Sequence, residues 1–264
     1  MNDTYAAFHE FFELVEANSA ELRQEVYHLR YRVLCVEVRL PGFDAACYQN
    51  ELEEDEYDLH SAHILLRHRP SNSFIGTARL ILQDPLNPNK PFPIENHAHI
   101  DSKRVDISKF PRRYVAEISR FAILAQFSRR RLGQHKDRNQ SIYKKCATMD
   151  RRRFPNTCLA LVVGIIHMST VHKIDHLLSV MDPSLNRLMS YYGLNLRPVG
   201  PLTDYHGMRR PHYVKLFDVM DGLYKYHRDI WELVSDYGRA CPYSMAYIQP
   251  EKVQVFDNMM LLNN

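Results

Sequence analysis

Three apolar runs of strand character, residues 62–67, 74–82 and 114–124, limit the fold most, because two of them carry charge in their interior. Arg79 sits between Ala78 and Leu80, and Glu117 and Arg120 sit among Val, Ala, Ile and Phe. An unpaired charge costs several kcal/mol to bury, so each of these residues must meet an opposite charge, water or a cleft. Side chains alternate faces along a strand. That places Glu117, Ser119 and Phe121 on one face and Ile118, Arg120 and Ala122 on the other. Arg79 and Arg30 are the expected partners of Glu117. The pattern predicts a polar cleft in the sheet, with an ion-pair network that merely braces the sheet as the alternative.

The rest of the chain supplies the layers around that sheet. Tyr5, Phe8, Phe11, Phe12 and Val15 recur at helical spacing and predict one amphipathic helix. Ser19 is the expected N-cap of a second helix with Leu22, Val26, Leu29 and Val33 on its apolar face. Residues 41–57 read as an ordered loop. Its end overlaps an acidic cluster of Glu51, Glu53, Glu54, Asp55, Glu56 and Asp58. Arg69-Pro70-Ser71-Asn72 signals a hairpin between the first two strands. Residues 83–111 are loop-rich, with Pro85, Pro88, Pro91, Pro93 and Pro111. A helix over 156–173, a strand over 177–181 and a helix over 183–192 closed by Gly193 follow. Strands over 194–199 and 213–220 and a helix over 223–237, with Ile230, Trp231 and Leu233, complete the pattern. Helices, an antiparallel-looking sheet and then alternating helix and strand predict an α/β or α+β sandwich.

Composition narrows the class. With 45% apolar and 25% charged residues the chain reads as an ordinary globular protein. Its most apolar stretch, 158–171, is too short for a membrane span and contains His167. The acidic N-terminus does not read as a secretory leader, so a cytoplasmic location is expected. The five cysteines are odd in number and form no CxxC pair, which points away from a disulfide framework or zinc site. His60, His63, His97 and His99 lack a further ligand set, and no metal is expected. Residues 129–153 are dense in Lys and Arg and call for an anionic partner, with a solvated loop as the alternative. Met259-Met260-Leu261-Leu262 reads as a tail that packs or frays, with a peripheral membrane or partner contact as the alternative.

Four blocks then stand in one order: Leu29-Arg30-Tyr31, Asp55-Glu56-Tyr57-Asp58, Gly76-Thr77-Ala78-Arg79-Leu80 and Glu117-Ile118-Ser119-Arg120-Phe121. Together, over residues 20–217, they resemble the acyl-homoserine-lactone (autoinducer) synthases and their relatives, the N-acyl amino acid synthases. The length, the basic insertion and Tyr205-His206-Gly207-Met208-Arg209-Arg210-Pro211 resemble most the acyltransferases associated with exosortase and PEP-CTERM sorting systems. The resemblance implies a GNAT-type fold: a mixed twisted sheet with a V-shaped splay and helices on both faces. It implies an acyltransferase domain over 1–217, with 125–155 as a basic insertion, and a helical extension over 218–264 packed on it. It also implies transfer of a fatty acyl group from the phosphopantetheine of acyl-carrier protein to the amine of an amino acid or related amine. Acyl-CoA is the other possible donor, and no tightly bound cofactor is implied. Leu34 and Leu40 stand where lactone synthases carry aromatics that help form the S-adenosylmethionine pocket, which favours an amino-acid acceptor. Arg130-Arg131-Leu132-Gly133-Gln134-His135 keeps the Arg and first Gly of a GNAT phosphate loop but ends on His. Arg129, Arg130 and Arg131 are therefore expected to dock the acidic carrier protein.

The chemistry fits these residues. A protonated amine cannot attack a thioester until a base takes its proton; Glu117 is the first candidate and Asp58 the second. Backbone N–H groups at a strand splay would stabilise the oxyanion. Arg79 or Arg120 would hold an acceptor carboxylate through a bidentate pair. Arg30, Asp55, Ser119 and Phe121 complete the expected substrate-binding set. A nucleic-acid-binding module built on 129–153 would leave Glu117, Asp55 and Asp58 without a role, and no nucleic-acid partner is expected.

Overall fold

The computed structural model describes residues 2–128, 154 and 156–241. Arg129, Arg130, Arg131, most of the basic insertion and the Met259–Leu262 segment lie outside the described residues. Helix α1 (Asp3–Phe11) is capped by Asn2, whose side chain accepts from the Thr4 and Tyr5 N–H groups. It stops sooner than the apolar spacing predicts. Phe12–Glu16 leave it as strand β1, which pairs antiparallel with β2 (Ser61–His68). Phe-Glu-Leu-Val-Glu fits either period over so few residues, and a sheet edge that can pair with it decides the outcome. Helix α2 (Ala20–Arg30) begins at Ser19 as predicted, with the Ser19 hydroxyl accepting from Leu22 N–H. It runs on into a π-helical segment, Tyr31–Glu37, that buries Val33, Leu34 and Cys35.

The predicted hairpin joins β2 to β3 (Ser73–Ile81) through a turn with Asn72 in the left-handed region. A short helix α3 (Pro93–His97) precedes β4 (Val115–Ile123). Helix α4 (Thr157–Val171) is capped by Asn156 and buries Leu159, Leu161, Val163, Ile165 and Ile166. Apolar around most of its surface, it is a core helix, and each such side chain contributes about 1.5–3 kcal/mol by leaving water. Strand β5 (His176–Met181) and helix α5 (Pro183–Tyr191) follow, and Gly193 takes a positive φ of 81° after the helix.

The C-terminal third departs from the sequence reading in three places. The strand predicted over 194–199 is reduced to β6 (Arg197–Pro198). The strand predicted over 213–220 ends early: β7 (Thr203–Asp204) and β8 (Met208–Lys215) lead into helix α6 (Leu216–Tyr226). Leu216, Val219, Met220 and Leu223 are all buried, at helical spacing that continues the strand's apolar run. The helix predicted over 223–237 is two, because α6 ends at Tyr226 and α7 (Arg228–Ser235) restarts after His227. Asn2 and Tyr5 of the N-terminal segment bond to Asp229 and Asp236, so the α7 region closes against α1.

The sheet has eight strands in the order β1-β2-β3-β4-β5-β8-β6, with β7 on β8. Every pairing is antiparallel except β4 with β5. That parallel ladder ends at Ile118 and Ser179, although β4 runs on to Ile123 and β5 to Met181. The two strands part from there, and the gap is the V of the GNAT-type sheet. Helix α2 covers the face on which Arg30 and Arg79 share Asp58. Helix α4 covers the other, where Leu161 packs at Gly76. No described helix is long and apolar enough to cross a membrane.

Candidate active site

The acidic loop folds with its charges sorted. Glu53 and Asp58 are buried and Asp55 is half-buried, while Glu51, Glu54 and Glu56 face solvent. Asp55 caps a short 3-10 turn, accepting from Tyr57 N–H, and Asp58 accepts from Asp55 N–H at 2.8 Å. The three inward carboxylates meet three arginines from separate elements. Arg30 donates to Glu53 and, through both terminal nitrogens, to Asp58 at 2.7 and 3.1 Å. Arg79 donates to Asp55 at 2.6 and 3.0 Å, to Asp58 at 2.8 Å and to the Ser119 hydroxyl at 2.9 Å. Arg120 donates to Glu53 at 3.0 Å and to Asp55 at 2.8 Å. Burial works against charge on Asp58, but the Arg30 and Arg79 guanidinia outweigh it and hold the carboxyl below its ordinary range. Asp58 is therefore a weak base.

Arg120 reaches these acids because strict alternation fails in β4. Thr77 pairs with Ala122 and Arg79 with Ser119, so Arg120 and Phe121 together oppose Ala78. This is a β-bulge, and Arg120 sits in it at φ 49°. The bulge turns Arg120 to the same carboxylates that bind Arg79, not to the opposite face.

Glu117 stands apart from the network, contrary to the expected pairing with Arg79 or Arg30. It is 2% exposed, and its carboxylate accepts the Ile94 N–H at 2.8 Å. Burial pushes its pKa up to about 8, against the pull of that N–H and of the Arg79 and Arg120 charges. The neutral acid is thus favoured at neutral pH, and the ionised fraction, which grows as pH approaches 8, is the form that can accept a proton.

A cavity of about 350 Å³ opens in the gap between β4 and β5. Glu117, Ser119, Arg120, Phe121, Asp55 and Arg79 line one end. Val162, Ile165, Leu185, Leu188 and Val219 line an apolar run, and Leu34 and Leu40 also stand on the wall. Arg30 and Asp58, both expected at the site, lie behind the wall and support it. Tyr205, His206, Arg209, Phe43 and Ser179 line the cavity too and were not singled out as site residues by the sequence.

Two loops close over the polar end. His206 bonds through Nδ1 to the Pro41 carbonyl at 2.8 Å, and its ring lies 4.6 Å from that of Phe43. The Arg120 guanidinium covers the other contact of Phe43, 4.8 Å from the ring centre, and Tyr205 stacks on His97 at 4.7 Å. Gly42 lies at φ 84°, and a Cβ there would come within 2.8 Å of His206 Nδ1. Gly42→Ala is expected to cost about 1 kcal/mol of stability through the backbone alone. It should cost more in activity by displacing His206. Thermal melting and turnover of the same preparation check both.

A sheet that parts between its parallel strands, with a cavity in the gap, is the GNAT-type fold. Residues 29–135 match the family model of the acetyltransferase (GNAT) domain. Among solved structures, the CoA-dependent acyl-homoserine lactone synthase BjaI, with SAM and isopentyl-CoA, is similar over 89% of this chain and 92% of its own. The identity is 14% and the TM-score 0.54. TofI in an apo form is 19% identical over 78% of this chain and 90% of its own, with a TM-score of 0.49. FeeM, an N-acyl amino acid synthase from uncultured soil microbes, is 12% identical over 81% of this chain and 96% of its own, with a TM-score of 0.48. The likeness to BjaI is one of fold. Among curated proteins none matches the sequence significantly.

Proposed function

We propose that the chain is an N-acyltransferase that moves a fatty acyl group from a carrier thioester to the amine of an amino acid or a close relative. The observation that carries this reading is one cavity with an apolar run at one end and Glu117, Ser119 and Arg120 at the other. The apolar run suits a fatty chain and excludes water from it. The thioester carbonyl then lies at the β4–β5 gap, where the edge of β4 beyond Ile118 has no β5 partner and can offer N–H groups to an oxyanion. Glu117 takes a proton from the acceptor ammonium, and the free amine attacks the carbonyl. The C–N bond forms, the C–S bond breaks, and the second proton lost by the nitrogen goes to the sulfur, which leaves as the thiol. The three arginines and three inward carboxylates hold the bulge that presents Ser119 and Arg120.

The donor in this reading is acyl-phosphopantetheine on acyl-carrier protein, with acyl-CoA as the other donor to be compared. Arg129, Arg130 and Arg131 are the proposed docking residues for the carrier. Neutralising all three is expected to raise KM for acyl-carrier protein by about tenfold, the order for removing several steering charges, and to spare a short pantetheine thioester. Steady-state kinetics with the two donors decide this.

The function itself is tested by incubating the purified protein with a long-chain acyl-carrier protein and a mixture of amino acids. Release of thiol and a base-stable N-acyl amino acid, identified by mass spectrometry, is the expected result. A base-labile lactone formed from S-adenosylmethionine would favour an autoinducer synthase instead. That product needs S-adenosylmethionine to seat against a wall where Leu34 and Leu40 stand.

A further inference from the structure

The apolar run of the cavity has a direction and an end, and both bear on the donor. The two faces of β5 belong to different parts of the core. Leu178 joins the apolar cluster of Val115 and Tyr213, whereas Leu177 joins the main core with Ile165 of α4 and Val214 of β8. Leu177, Ile165 and Val214 line the cavity, and Leu178 and Tyr213 do not. From the gap, which opens beyond the Ile118–Ser179 pair, the run therefore passes onto the α4 face of the sheet. There it follows β5 backward. Leu177 lies opposite Val214, and beyond that pair the Leu216 N–H donates to the Asp175 carbonyl at 2.8 Å. Leu216 and Val219, three apart at the start of α6, line the cavity at this level. They are only 2% and 8% exposed, and Met220 and Leu223 of the same helix are wholly buried, so the run is closed here.

The strand register gives its length. At about 3.3 Å per residue, the path from the level of Ser179 to that of Asp175 covers about 13 Å. An extended hydrocarbon advances about 1.2 Å per bond, a third of the extended residue repeat, so the run takes about eleven bonds. We propose that Leu216 and Val219 form the floor of the donor site and limit the acyl chain to about twelve carbons, counted from a thioester carbon at the gap. The proposal rests on reading the cavity as a site of acyl transfer. Helix α6 lies beyond residues 29–135, so the length of the chain is set outside the part that matches the GNAT domain model. A longer chain must either press Leu216 and Val219 into the core behind them or lift the thioester away from Glu117 and the β4 edge. A close-packed interior yields little to the first, and the second misplaces the reacting carbon. A shorter chain leaves part of the run unfilled and forgoes burial.

The test measures thiol release by the full chain from octanoyl, decanoyl, dodecanoyl, myristoyl and palmitoyl donors, each on carrier protein and on CoA, with the common amino acids present together. Wild-type kcat/KM is expected to rise by up to about fourfold per added methylene, the order for burying one, and to peak at decanoyl or dodecanoyl. Palmitoyl should fall at least about tenfold below the peak. Val219→Ala should move the optimum up to myristoyl, and Val219→Phe should move it down to octanoyl. Opposite shifts from one position are what a wall produces, whereas a structural defect lowers every donor by one factor. If Val219→Phe does not fold, the alanine variant still reads the shift. Palmitoyl used as well as dodecanoyl by wild type, or one optimum shared by wild type and the folded variants, overturns the floor while acyl transfer stands. No thiol release from any donor overturns acyl transfer itself, and the floor with it.

Discussion

Glu117→Gln is expected to cut turnover by about 10²–10⁴-fold, the usual effect of losing a positioned general base, while the protein stays folded. The substitution keeps shape and keeps an oxygen to accept the Ile94 N–H, which is 2.8 Å from the carboxylate. It removes only the ability to bind and release a proton. Burial raises the Glu117 pKa from 4.5 to about 8, so in the fold the neutral acid is favoured. Stability contributed by this group is complete below pH 4.5 and is lost as pH rises through 8. Glutamine cannot ionise, so the variant should become the more stable protein, by a few kcal/mol, above pH 8. The gap opens from pH 4.5 upward and is full above 8, so urea unfolding at pH 4.5 and pH 9 measures it. The rate has the opposite sign: as a base, Glu117 works deprotonated, so wild-type kcat/KM should climb with pH and level near 8. The acceptor amine also titrates, in both proteins, but the break near 8 should be present in wild type alone. A variant that turns over at near wild-type rate removes Glu117 from the reaction, whatever its stability profile.

Local chemistry made much of this legible before any coordinates. Ser19, Asn72 and Gly193 announce their turns and caps because each acts on its immediate neighbours. The charged residues inside strands announced a polar cleft because their burial has to be compensated. The partners they found were less legible. Glu53 is fully buried and joins Arg30 to Arg120, yet in the sequence it is one acid among six. Its signal was there in the spacing: Glu53, Asp55 and Asp58 turn inward around a capping turn and their neighbours do not. The bulge at Arg120 had no such signal, since a positive φ at arginine follows from how β3 and β4 register and not from its side chain. The same holds for Arg209 and His206. They reach the cavity only because β8 pairs beside β5, and that depends on residues far away in the chain. Phe12 and Leu216 show the limit from the other side, where a few apolar residues fit two periods and tertiary pairing chooses.

Arg30→Met is expected to destabilise the protein by about 3–5 kcal/mol, the order for breaking a buried pair, because it takes the fully buried cation from two buried carboxylates and leaves them only Arg79 and Arg120. Arg30 is fully buried and so is Glu53, while Asp58 is nearly so, so water cannot replace the guanidinium. Arg120→Met should cost less, because Arg120 is partly exposed and Glu53 keeps Arg30. Adding Glu53→Gln to Arg30→Met should restore part of the loss, since it removes one of the two buried carboxylates that lose Arg30; a coupling of about 0.5–3 kcal/mol is the range for residues in contact. Acid unfolding gives an independent reading. The Asp58 pKa is held below its ordinary value of 3.8, so its contribution is complete above that pH and fades as pH falls through the folded-state value. Without Arg30 the depression shrinks, and the acid transition should move to higher pH. Chemical denaturation at pH 7 and an acid titration followed by circular dichroism test both. A loss under about 1 kcal/mol, the range of an exposed pair, would mean that the network does not brace the bulge. The placement of Ser119 and Arg120 would then rest on the β3–β4 register alone.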